Sequence, residues 1–416
     1  MPNLLATRLA QIRTWGLKGI VDYVKRIPTD RRLRRIFTAN AAKFPQKPTS
    51  GLTLIADMTG TGSLSKVMRD LAFRLRETNI PYQTYDLHQG PVTIPAADYR
   101  EILSPPEDFR ILRYSHVLEI CTHVLPPEIP LTHSRIYFWE FDSGLLEYDA
   151  SLAAKDDLVA MSDFNRDVFR ASLPETTTVK KLLYPFVFNL KDITPVSEIR
   201  KKYGLSPENF VVFFNFDFGT SYKRKNPEDA LRAFAKAFPS EKKTRFVFKA
   251  KNAARHPQDL SALWTLAQKL GVENRIQIVT DYLPMSELYG LTNACDVYLS
   301  LHRGEGFGLG IAEAMSLGKP VIVTNYSATT EFCNDHNSIS VPFKMIDVQP
   351  GDIDNPCYRA VKQWAQPDID AAALALRSLF DSPSLRTNLG QAAKNFIQSH
   401  FSTGNFKQSV LDYLAC

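Results

Sequence analysis

Short apolar runs alternate with amphipathic segments along most of the chain after residue 50. The first run, Leu52–Ala56, is followed by a glycine turn and then, from Ser63 onward, by apolar residues at helical spacing. This pattern predicts a strand, a turn and a helix capped by Ser63. Comparable runs recur through the first half of the chain at Pro81–Tyr85, His116–Cys121, Arg135–Trp139, Leu158–Met161 and Val179–Tyr184. Such alternation is typical of a parallel α/β sheet.

The same pattern starts again after a proline-containing segment, Tyr184–Pro195, that we interpret as an interdomain hinge. The later apolar runs are Val211–Phe216, Phe246–Phe248, Ile276–Ile278, Val297–Leu301 and Val321–Val323. We therefore predict two Rossmann-like domains, at residues 49–190 and 191–401. Residues 371–380, 384–401 and 406–414 have helical patterns, whereas residues 349–364 have the irregular pattern of an insertion.

A basic head precedes the first predicted domain. Residues 1–48 contain eleven Lys/Arg and two Asp, a balance of +9, so the remainder carries 39 − 42 = −3. Apolar residues in this segment recur at helical spacing, which predicts a basic amphipathic helix. It has two open interpretations: an interfacial helix on an anionic membrane, or a helix packed on the body with a solvated basic face. Nucleic-acid binding is disfavoured because the segment lacks interleaved aromatic residues and any known module.

Composition indicates a soluble, two-domain globular protein. The chain has 416 residues, of which 44% are hydrophobic and 23% charged. No apolar run reaches the roughly 18–20 residues needed to cross a bilayer. Charges interrupt the N-terminal region, so it has no signal-peptide core. The five cysteines form no C-x-x-C pair, which favours a reducing compartment without disulfides or a thiolate metal site. We predict a cytoplasmic location, peripheral on the inner membrane face if the head binds lipid.

The most informative stretch runs from the strand at Val297–Leu301 through a glycine-rich loop into an apolar helix that ends at Gly318. A loop of this kind presents backbone N–H groups to an anion at the start of a helix. Glu305 lies in the loop and Glu313 in the helix. A carboxylate would repel a phosphate, so we expect both to accept hydrogen bonds from hydroxyl groups. Phosphate and hydroxyls together indicate a sugar, a ribose or both, although a purely structural glycine turn is the simpler alternative.

The segment E-G-F-G-L-G-I-A-E-A-M, with Glu305 and Glu313 separated by seven residues, resembles the signature of retaining nucleotide-sugar glycosyltransferases of glycosyltransferase family 4. The downstream Gly318–Thr324 and Tyr326-Ser327 resemble the same family. Tyr137–Phe141 and Met161–Phe164 resemble segments of its bacterial members, and residues 349–364 resemble an insertion of the bacterial polysaccharide-type members. The resemblance implies the GT-B fold: two Rossmann-like domains facing a central cleft. The last helix, residues 402–416, is then expected to cross back to the N-terminal domain.

The resemblance also implies roles for residues of the second domain. Glu313 would accept hydrogen bonds from the ribose and Glu305 from the sugar ring, without forming a covalent intermediate. The donor diphosphate would be held by the glycine loop and by basic residues after two strands, namely Gly306, Phe307, Gly308, Leu309, Arg224, Lys225 and Lys249. A solvated basic loop is the alternative for the Arg224-Lys225 cluster. An arginine that relatives carry about six residues upstream is absent here, where Phe218-Gly219-Thr220 stands.

Three residues of the first half complete the predicted site. His123 follows a strand end, where the family has a histidine near the transferred sugar, and Glu140 is expected to face the acceptor. Gly62 belongs to a Gly-Thr-Gly turn that would face the donor or acceptor. Each also has a structural alternative as an ordinary turn or core residue. The pairs Asp352/Asp354 and Asp368/Asp370 lie in irregular or helix-start sequence, so we interpret them as turn and helix caps and predict no metal site.

We therefore predict a metal-independent, retaining glycosyltransferase that uses a UDP- or GDP-linked sugar, requires no cofactor, and acts on a glycan or lipid-linked hydroxyl. One alternative is a catalytically inactive binding or partner subunit with the same fold, which the intact Glu305/Glu313 pair disfavours. Another is an NAD-linked oxidoreductase, which the absence of G-x-G-x-x-G after either first strand disfavours.

Overall fold

The structure is a computed structural model. It describes residues 49–60, 62–88, 92, 96, 99–104, 114–120, 132–145, 157–188, 193–353, 358 and 360–415. The predicted basic helix of residues 1–48 and the predicted site residue His123 lie outside this part of the chain. None of the described helices is long and apolar enough to cross a bilayer.

The described strands, in chain order, are β1 (Thr49–Ala56), β2 (Tyr82–Asp86), β3 (Tyr114–Ile120), β4 (Thr132–Ile136), β5 (Asp157–Ala160), β6 (Val179–Lys181), β7 (Phe210–Asp217), β8 (Thr244–Lys251), β9 (Ile276–Val279), β10 (Val297–Ser300), β11 (Val321–Thr324), β12 (Ile339–Val341), β13 (Phe343–Asp347) and β14 (Gln363–Pro367). The described α-helices are α1 (Ser63–Glu77), α2 (Asp163–Ser172), α3 (Val196–Lys202), α4 (Tyr222–Lys225), α5 (Pro227–Ala237), α6 (Pro257–Lys269), α7 (Met285–Asn293), α8 (Leu309–Ser316), α9 (Ile369–Asp381), α10 (Pro383–His400) and α11 (Thr403–Ala415).

The chain divides into two compact units. Of the residues that the structure describes, those within 49–139, 145–187 and 401–415 form the first, and those within 140–144 and 188–400 form the second. Each contains one six-stranded parallel sheet, with strand order β2-β1-β3-β4-β5-β6 in the first and β12-β11-β10-β7-β8-β9 in the second. The predicted fold class of two Rossmann-like α/β domains is confirmed.

In the first unit, α11 packs on α1 and β6 through an apolar stripe at helical spacing. Its fully buried residues are Phe406, Val410 and Tyr413. Arg74 of α1 anchors the start of this helix, because its guanidinium donates to the Phe401 carbonyl at 2.9 Å and to the Thr403 hydroxyl at 2.9 Å. The C-terminal helix therefore folds as part of the first unit.

In the first unit, the turn that the sequence predicted follows β1 and contains Gly62. Gly62 precedes α1 with an ordinary φ of −75°, and its carbonyl accepts from the Lys66 N–H at 3.1 Å. A Cβ placed there would meet only the Ser65 hydroxyl at 3.9 Å. The backbone at this position therefore does not require glycine.

In the second unit the central strands are almost entirely apolar, as expected for a sheet covered on both faces. Phe213, Val247 and Leu299 are fully buried. β13 and β14 form a separate antiparallel hairpin with Phe343 opposite Pro367. The segment between these two strands contains most of the insertion that the sequence predicted. The carboxyl ends of β7, β8 and β10 all lie at one edge of the main sheet, which is where open α/β sheets bind ligands.

Candidate functional site

The glycine-rich loop between β10 and α8 reverses the chain in a conformation that requires glycine at one position. Gly308 has φ of +94°, and a Cβ there would lie 2.7 Å from Cγ2 of Thr329. α8 begins at the next residue, and the N–H groups of Leu309 and Gly310 precede its first hydrogen bond, because the Ile311 N–H already donates to the Gly308 carbonyl at 3.0 Å. The helix ends as predicted, with Gly318 at φ +72° and its N–H donating to the Met315 carbonyl at 2.9 Å.

Glu305 is fixed in this loop by its main chain. Its N–H donates to the Ser327 hydroxyl at 2.8 Å, and its carbonyl accepts from the Ala328 N–H at 3.2 Å. The side chain is 11% exposed. The carboxylate is therefore held at the surface of the loop by a short segment that follows β11, which contains the Tyr326-Ser327 pair noted in the sequence.

Two cations from α4 meet the Glu305 carboxylate. The Lys225 ammonium nitrogen lies 2.5 Å from Oε1, and Nη1 of Arg224 lies 3.6 Å from Oε2. Arg224 also donates to the Gly304 carbonyl at 2.7 Å. The corner after α4 is held by Asn226, which has a left-handed φ of 58° and donates its side-chain amide to the Leu301 carbonyl at 2.8 Å. Ion pairs and hydrogen bonds thus link the Glu305 loop to α4 and the residue that follows it.

Burial and the neighbouring charges together set the protonation states of Glu305 and Lys225. Burial would raise the pKa of Glu305, but the neighbouring Lys225 and Arg224 outweigh it and lower the pKa to about 2. Burial lowers the pKa of Lys225, and Glu305 opposes this shift. Glu305 is consequently an anion throughout the physiological range. An anionic carboxylate accepts hydrogen bonds only, which suits the binding of hydroxyl groups.

Glu313 is the fifth residue of α8 and is 5% exposed. The Tyr289 hydroxyl donates to its Oε1 at 3.1 Å. Burial raises the pKa of Tyr298 well above its usual range, and the negative charges of Glu305 and Glu313 raise it further. The negative charges of both predicted carboxylates therefore act on one buried phenol, that of Tyr298.

His302 is a buried neighbour that sequence reasoning did not single out. It is fully buried, and burial lowers the pKa of its imidazole to about 4. Its Nε2 lies 3.2 Å from the Thr329 hydroxyl, which itself donates to the Tyr326 carbonyl at 3.0 Å. Because that hydroxyl donates to the Tyr326 carbonyl, we expect Nε2 to carry the imidazole proton, and Nδ1 has no hydrogen-bond partner among the described residues. His302 is thus a neutral support beneath the loop.

The other predicted residues are distributed as follows. Phe307 is 6% exposed and packs on Phe332 with ring centroids 5.1 Å apart, which anchors the loop. Lys249, near the end of β8, has a pKa lowered by burial, and its charged neighbours are Lys251, Asp281 and Asp217. It therefore lies at the same sheet edge as Glu305 without joining the Glu305 cluster. Gly62 belongs to the first unit.

Glu140 was predicted within the first domain, but it belongs to the second unit. Its Oε1 lies 3.9 Å from Nη2 of Arg224 and accepts from the Tyr358 hydroxyl at 3.1 Å. Residues 140–144 fall in this unit because they pack against the Glu305 loop, a contact that local periodicity does not encode. Tyr358 was missed for the same reason, since 218 positions separate it from Glu140.

The aspartate pairs behave as caps where the structure describes them. Asp368 accepts from the N–H groups of Asp370 and Ala371 at 2.9 and 3.0 Å and so caps α9. Asp352 accepts from the Gln349 N–H at 3.0 Å within a turn. Asp354 lies outside the described residues. Within the described ranges, no three His, Cys, Asp or Glu side chains are grouped so that they could hold a metal ion.

The second unit matches a family of known enzymes. Residues 196–348 match the family model described as "Glycosyl transferases group 1". The serotype-specific mannosyltransferase WbdA of Escherichia coli is 27% identical over 174 residues, 41% of this chain and 20% of the relative. The O-antigen chain mannosyltransferase B of Escherichia coli is 28% identical over 144 residues, 35% of this chain and 36% of the relative. The chain thus spans only a fifth to about a third of the length of these relatives.

Solved structures share the architecture over most of the chain. HepE from Anabaena, in a complex with UDP and glucose, aligns with a TM-score of 0.61 at 14% identity, covering 88% of this chain and 100% of the other. WaaG, a glycosyltransferase involved in lipopolysaccharide biosynthesis, aligns with a TM-score of 0.57 at 14% identity, covering 87% and 99%. At these identities the likeness establishes the fold, which is the GT-B fold expected from the sequence.

Proposed function

We propose that this chain is a glycosyltransferase that moves a sugar from a nucleotide-sugar donor to a hydroxyl acceptor during the synthesis of a polysaccharide or glycolipid. The observation that carries the proposal is the Glu305 carboxylate, held 2.5 Å from Lys225 in a glycine loop that leads into the start of α8. This arrangement places a cation and helix N–H groups beside a fixed hydrogen-bond acceptor, which suits a phosphorylated sugar. The family match of residues 196–348 supports the same conclusion.

In this proposal the donor binds the second unit. Lys225, whose side chain is 17% exposed, and the N–H groups from Phe307 to Leu309 stabilise the negative charge that grows on the diphosphate as the glycosidic bond breaks. Glu305 accepts hydrogen bonds from the sugar ring, and Glu313 accepts them from the ribose. The diphosphate leaves with the electron pair of the broken bond, the acceptor oxygen forms the new bond to the sugar, and the acceptor proton passes to the departing diphosphate oxygen.

We propose retention of anomeric configuration and independence of metal, in line with the family that the sequence resembles. The donor is a UDP- or GDP-linked sugar. The UDP in the HepE complex and the mannosyltransferase relatives make UDP-sugars and mannose donors the first to test. His123 and Gly62 remain predicted contacts of the sugar and its donor, and Lys249 a predicted contact of the diphosphate.

We further propose that the basic segment 1–48 attracts the enzyme to an anionic membrane surface, where a lipid-linked acceptor would lie. The support is its balance of +9 against −3 for the rest of the chain. Co-sedimentation of the full chain with vesicles should show binding to anionic but not to neutral lipid. Equal binding to both kinds of vesicle, or none to either, would contradict it.

The experiment for the main proposal is a donor panel. The purified full chain is incubated with UDP-, GDP- and ADP-sugars, and release of the nucleoside diphosphate is followed with and without a chelator. We expect one donor to be consumed slowly by hydrolysis, at a rate that excess chelator leaves unchanged, and its products to show retained configuration by NMR. Binding of a donor without any turnover would instead support the inactive partner subunit. If none of the donors binds, both the transferase and the inactive subunit are contradicted.

A further inference from the structure

A short strap, which we define as residues 140–144, packs directly on the Glu305 loop. These residues belong to the second unit, although the chain on both sides of them belongs to the first. A Cβ at Gly304 would lie 2.6 Å from the Glu140 carbonyl oxygen and 3.1 Å from Cε1 of Phe141. Glycine at position 304 is therefore what allows the strap to approach the loop so closely.

The insertion between β13 and β14 covers the other side of the strap. The Tyr358 hydroxyl donates to Oε1 of Glu140 at 3.1 Å, and its ring meets Phe141 edge to face with centroids 5.2 Å apart. At the far end, a Cβ on Gly144 would lie 2.9 Å from the Val361 nitrogen. The strap is thus held at both ends, by the Glu305 loop and Tyr358 at Glu140–Phe141 and by Val361 at Gly144.

Arg224 contacts all three of these segments from a buried position. Its Nη1 donates to the Gly304 carbonyl at 2.7 Å, its Nη2 lies 3.9 Å from Glu140, and its guanidinium carbon lies 5.7 Å from the centre of the Tyr358 ring. Burial alone would lower its pKa, but the neighbouring Tyr358, Glu140 and Glu305 side chains raise it instead, so Arg224 stays a cation. The orientation of the Arg224 guanidinium is set by its contacts with Gly304, Glu140 and Tyr358.

Exposure separates Arg224 from its neighbours in the cluster. The Arg224 side chain is 4% exposed, whereas Lys225 is 17% exposed and Glu305 is 11% exposed. Lys225 and Glu305 therefore present more surface to a ligand than Arg224 does, and Arg224 contacts the loop from the buried side. This geometry distinguishes groups that touch the donor from a group that places them.

We propose that Glu140 and Tyr358 are positioning residues, which fix the Arg224 guanidinium and, through its bonds to Gly304 and Glu305, place the Glu305 carboxylate for the donor sugar. The inference rests on the proposed function. It gives Glu140 a role on the donor side, in place of the acceptor contact expected from the sequence. It also gives the insertion a role in the reaction that no local sequence pattern indicated.

The test compares Glu140→Gln and Tyr358→Phe with the control Asp142→Asn, which changes the same charge at an exposed position of the same strap. Three quantities are measured: donor hydrolysis without acceptor, affinity for the free nucleoside diphosphate, and the thermal midpoint. We expect each of the first two variants to lower kcat for hydrolysis by about tenfold or more, because a misplaced carboxylate loses transition-state contacts. Diphosphate affinity should stay within about twofold of the wild type, since Lys225 is untouched.

The double variant should hydrolyse the donor no more slowly than the slower of the two single variants, because both changes release the same Arg224 guanidinium. Glu140→Gln keeps the size of the side chain and carries the test alone if Tyr358→Phe fails to fold. A rise in the acceptor KM with unchanged hydrolysis would overturn the inference in favour of an acceptor contact. Hydrolysis equal to that of Asp142→Asn would also overturn it. Turnover by the wild type decides the proposed function separately, before any variant is compared.

Discussion

The Lys225 ammonium nitrogen lies 2.5 Å from Oε1 of Glu305, although 80 residues separate the two along the chain. Arg224 and Glu140 extend this pair into a buried set of two cations and two carboxylates. Opposite charges offset one another in this set, which is the usual condition for keeping ionised groups out of water. A ligand that brings a diphosphate supplies new negative charge to Lys225 and leaves the Glu305 carboxylate available to hydroxyl groups.

Lys225→Met should weaken binding of the free nucleoside diphosphate by about tenfold or more, because the variant loses the more exposed of the two cations beside Glu305. The affinity is measured by calorimetry with the nucleotide that the donor panel identifies. Lys242→Met removes the same charge from an exposed position and serves as the control, with no change expected. Equal affinities for the wild type and Lys225→Met would show that the diphosphate binds elsewhere.

The low pKa of Glu305 makes a contribution to stability that depends on pH. Its pKa falls from 4.5 to about 2 in the folded chain, since Lys225 and Arg224 favour the carboxylate over the opposing effect of burial. A lowered folded pKa stabilises the fold above the unfolded pKa, and this contribution is lost as the pH falls from about 4.5 toward 2.

Thermal midpoints of the wild type and Glu305→Gln, measured from pH 6 to about pH 2, test this linkage. The wild type should be the more stable at pH 6, and the difference should shrink as the pH falls below about 4.5. A difference that stays constant over this range would mean that the carboxylate is not stabilised by its cationic neighbours.

His302 should remain neutral well below physiological pH, because burial lowers its pKa to about 4. Nitrogen NMR of the imidazole should show the tautomer with the proton on Nε2, which donates to Thr329, and no titration above about pH 5. The signals are assigned by their loss in His302→Gln. A protonated imidazole at pH 7 would contradict the proposed environment beneath the loop.

The sequence predicted much of this fold because its signals are local. The apolar runs and the glycine after α8 gave strands and a helix end close to those in the structure. The pairing of Glu140 with Tyr358 was not accessible, since contacts across 218 positions leave no trace in periodicity. His302 was missed because a buried neutral histidine resembles an ordinary strand-end residue. The β13–β14 hairpin was missed because its two short strands flank the irregular insertion, so their pairing is not local.

Gly310 occupies a position where no side chain fits, which the sequence motif alone did not explain. A Cβ there would lie 2.4 Å from the side-chain amide oxygen Oδ1 of Asn215 and 2.6 Å from the Tyr298 hydroxyl, which donates a hydrogen bond to that oxygen. Gly310→Ala should therefore lower the free energy of unfolding by about 1–3 kcal/mol through overpacking.

The control for this variant is Gly404→Ala in α11, where a Cβ meets nothing within 4 Å. Alanine is the better helix former, so this variant should be as stable as the wild type or slightly more stable. Chemical denaturation of both variants gives the comparison. A Gly310→Ala protein as stable as Gly404→Ala would show that the first turn of α8 shifts freely.

The central claim is that the Glu305 carboxylate acts on the donor sugar. Its most direct test is kcat/KM of Glu305→Ala with the donor found in the panel, compared with Glu208→Ala, which removes a carboxylate that is 68% exposed. We predict that Glu305→Ala lowers kcat/KM at least ~10²-fold, about 2.7 kcal/mol of transition-state stabilisation, and that Glu208→Ala leaves it unchanged. Near-normal turnover by folded Glu305→Ala would contradict the claim.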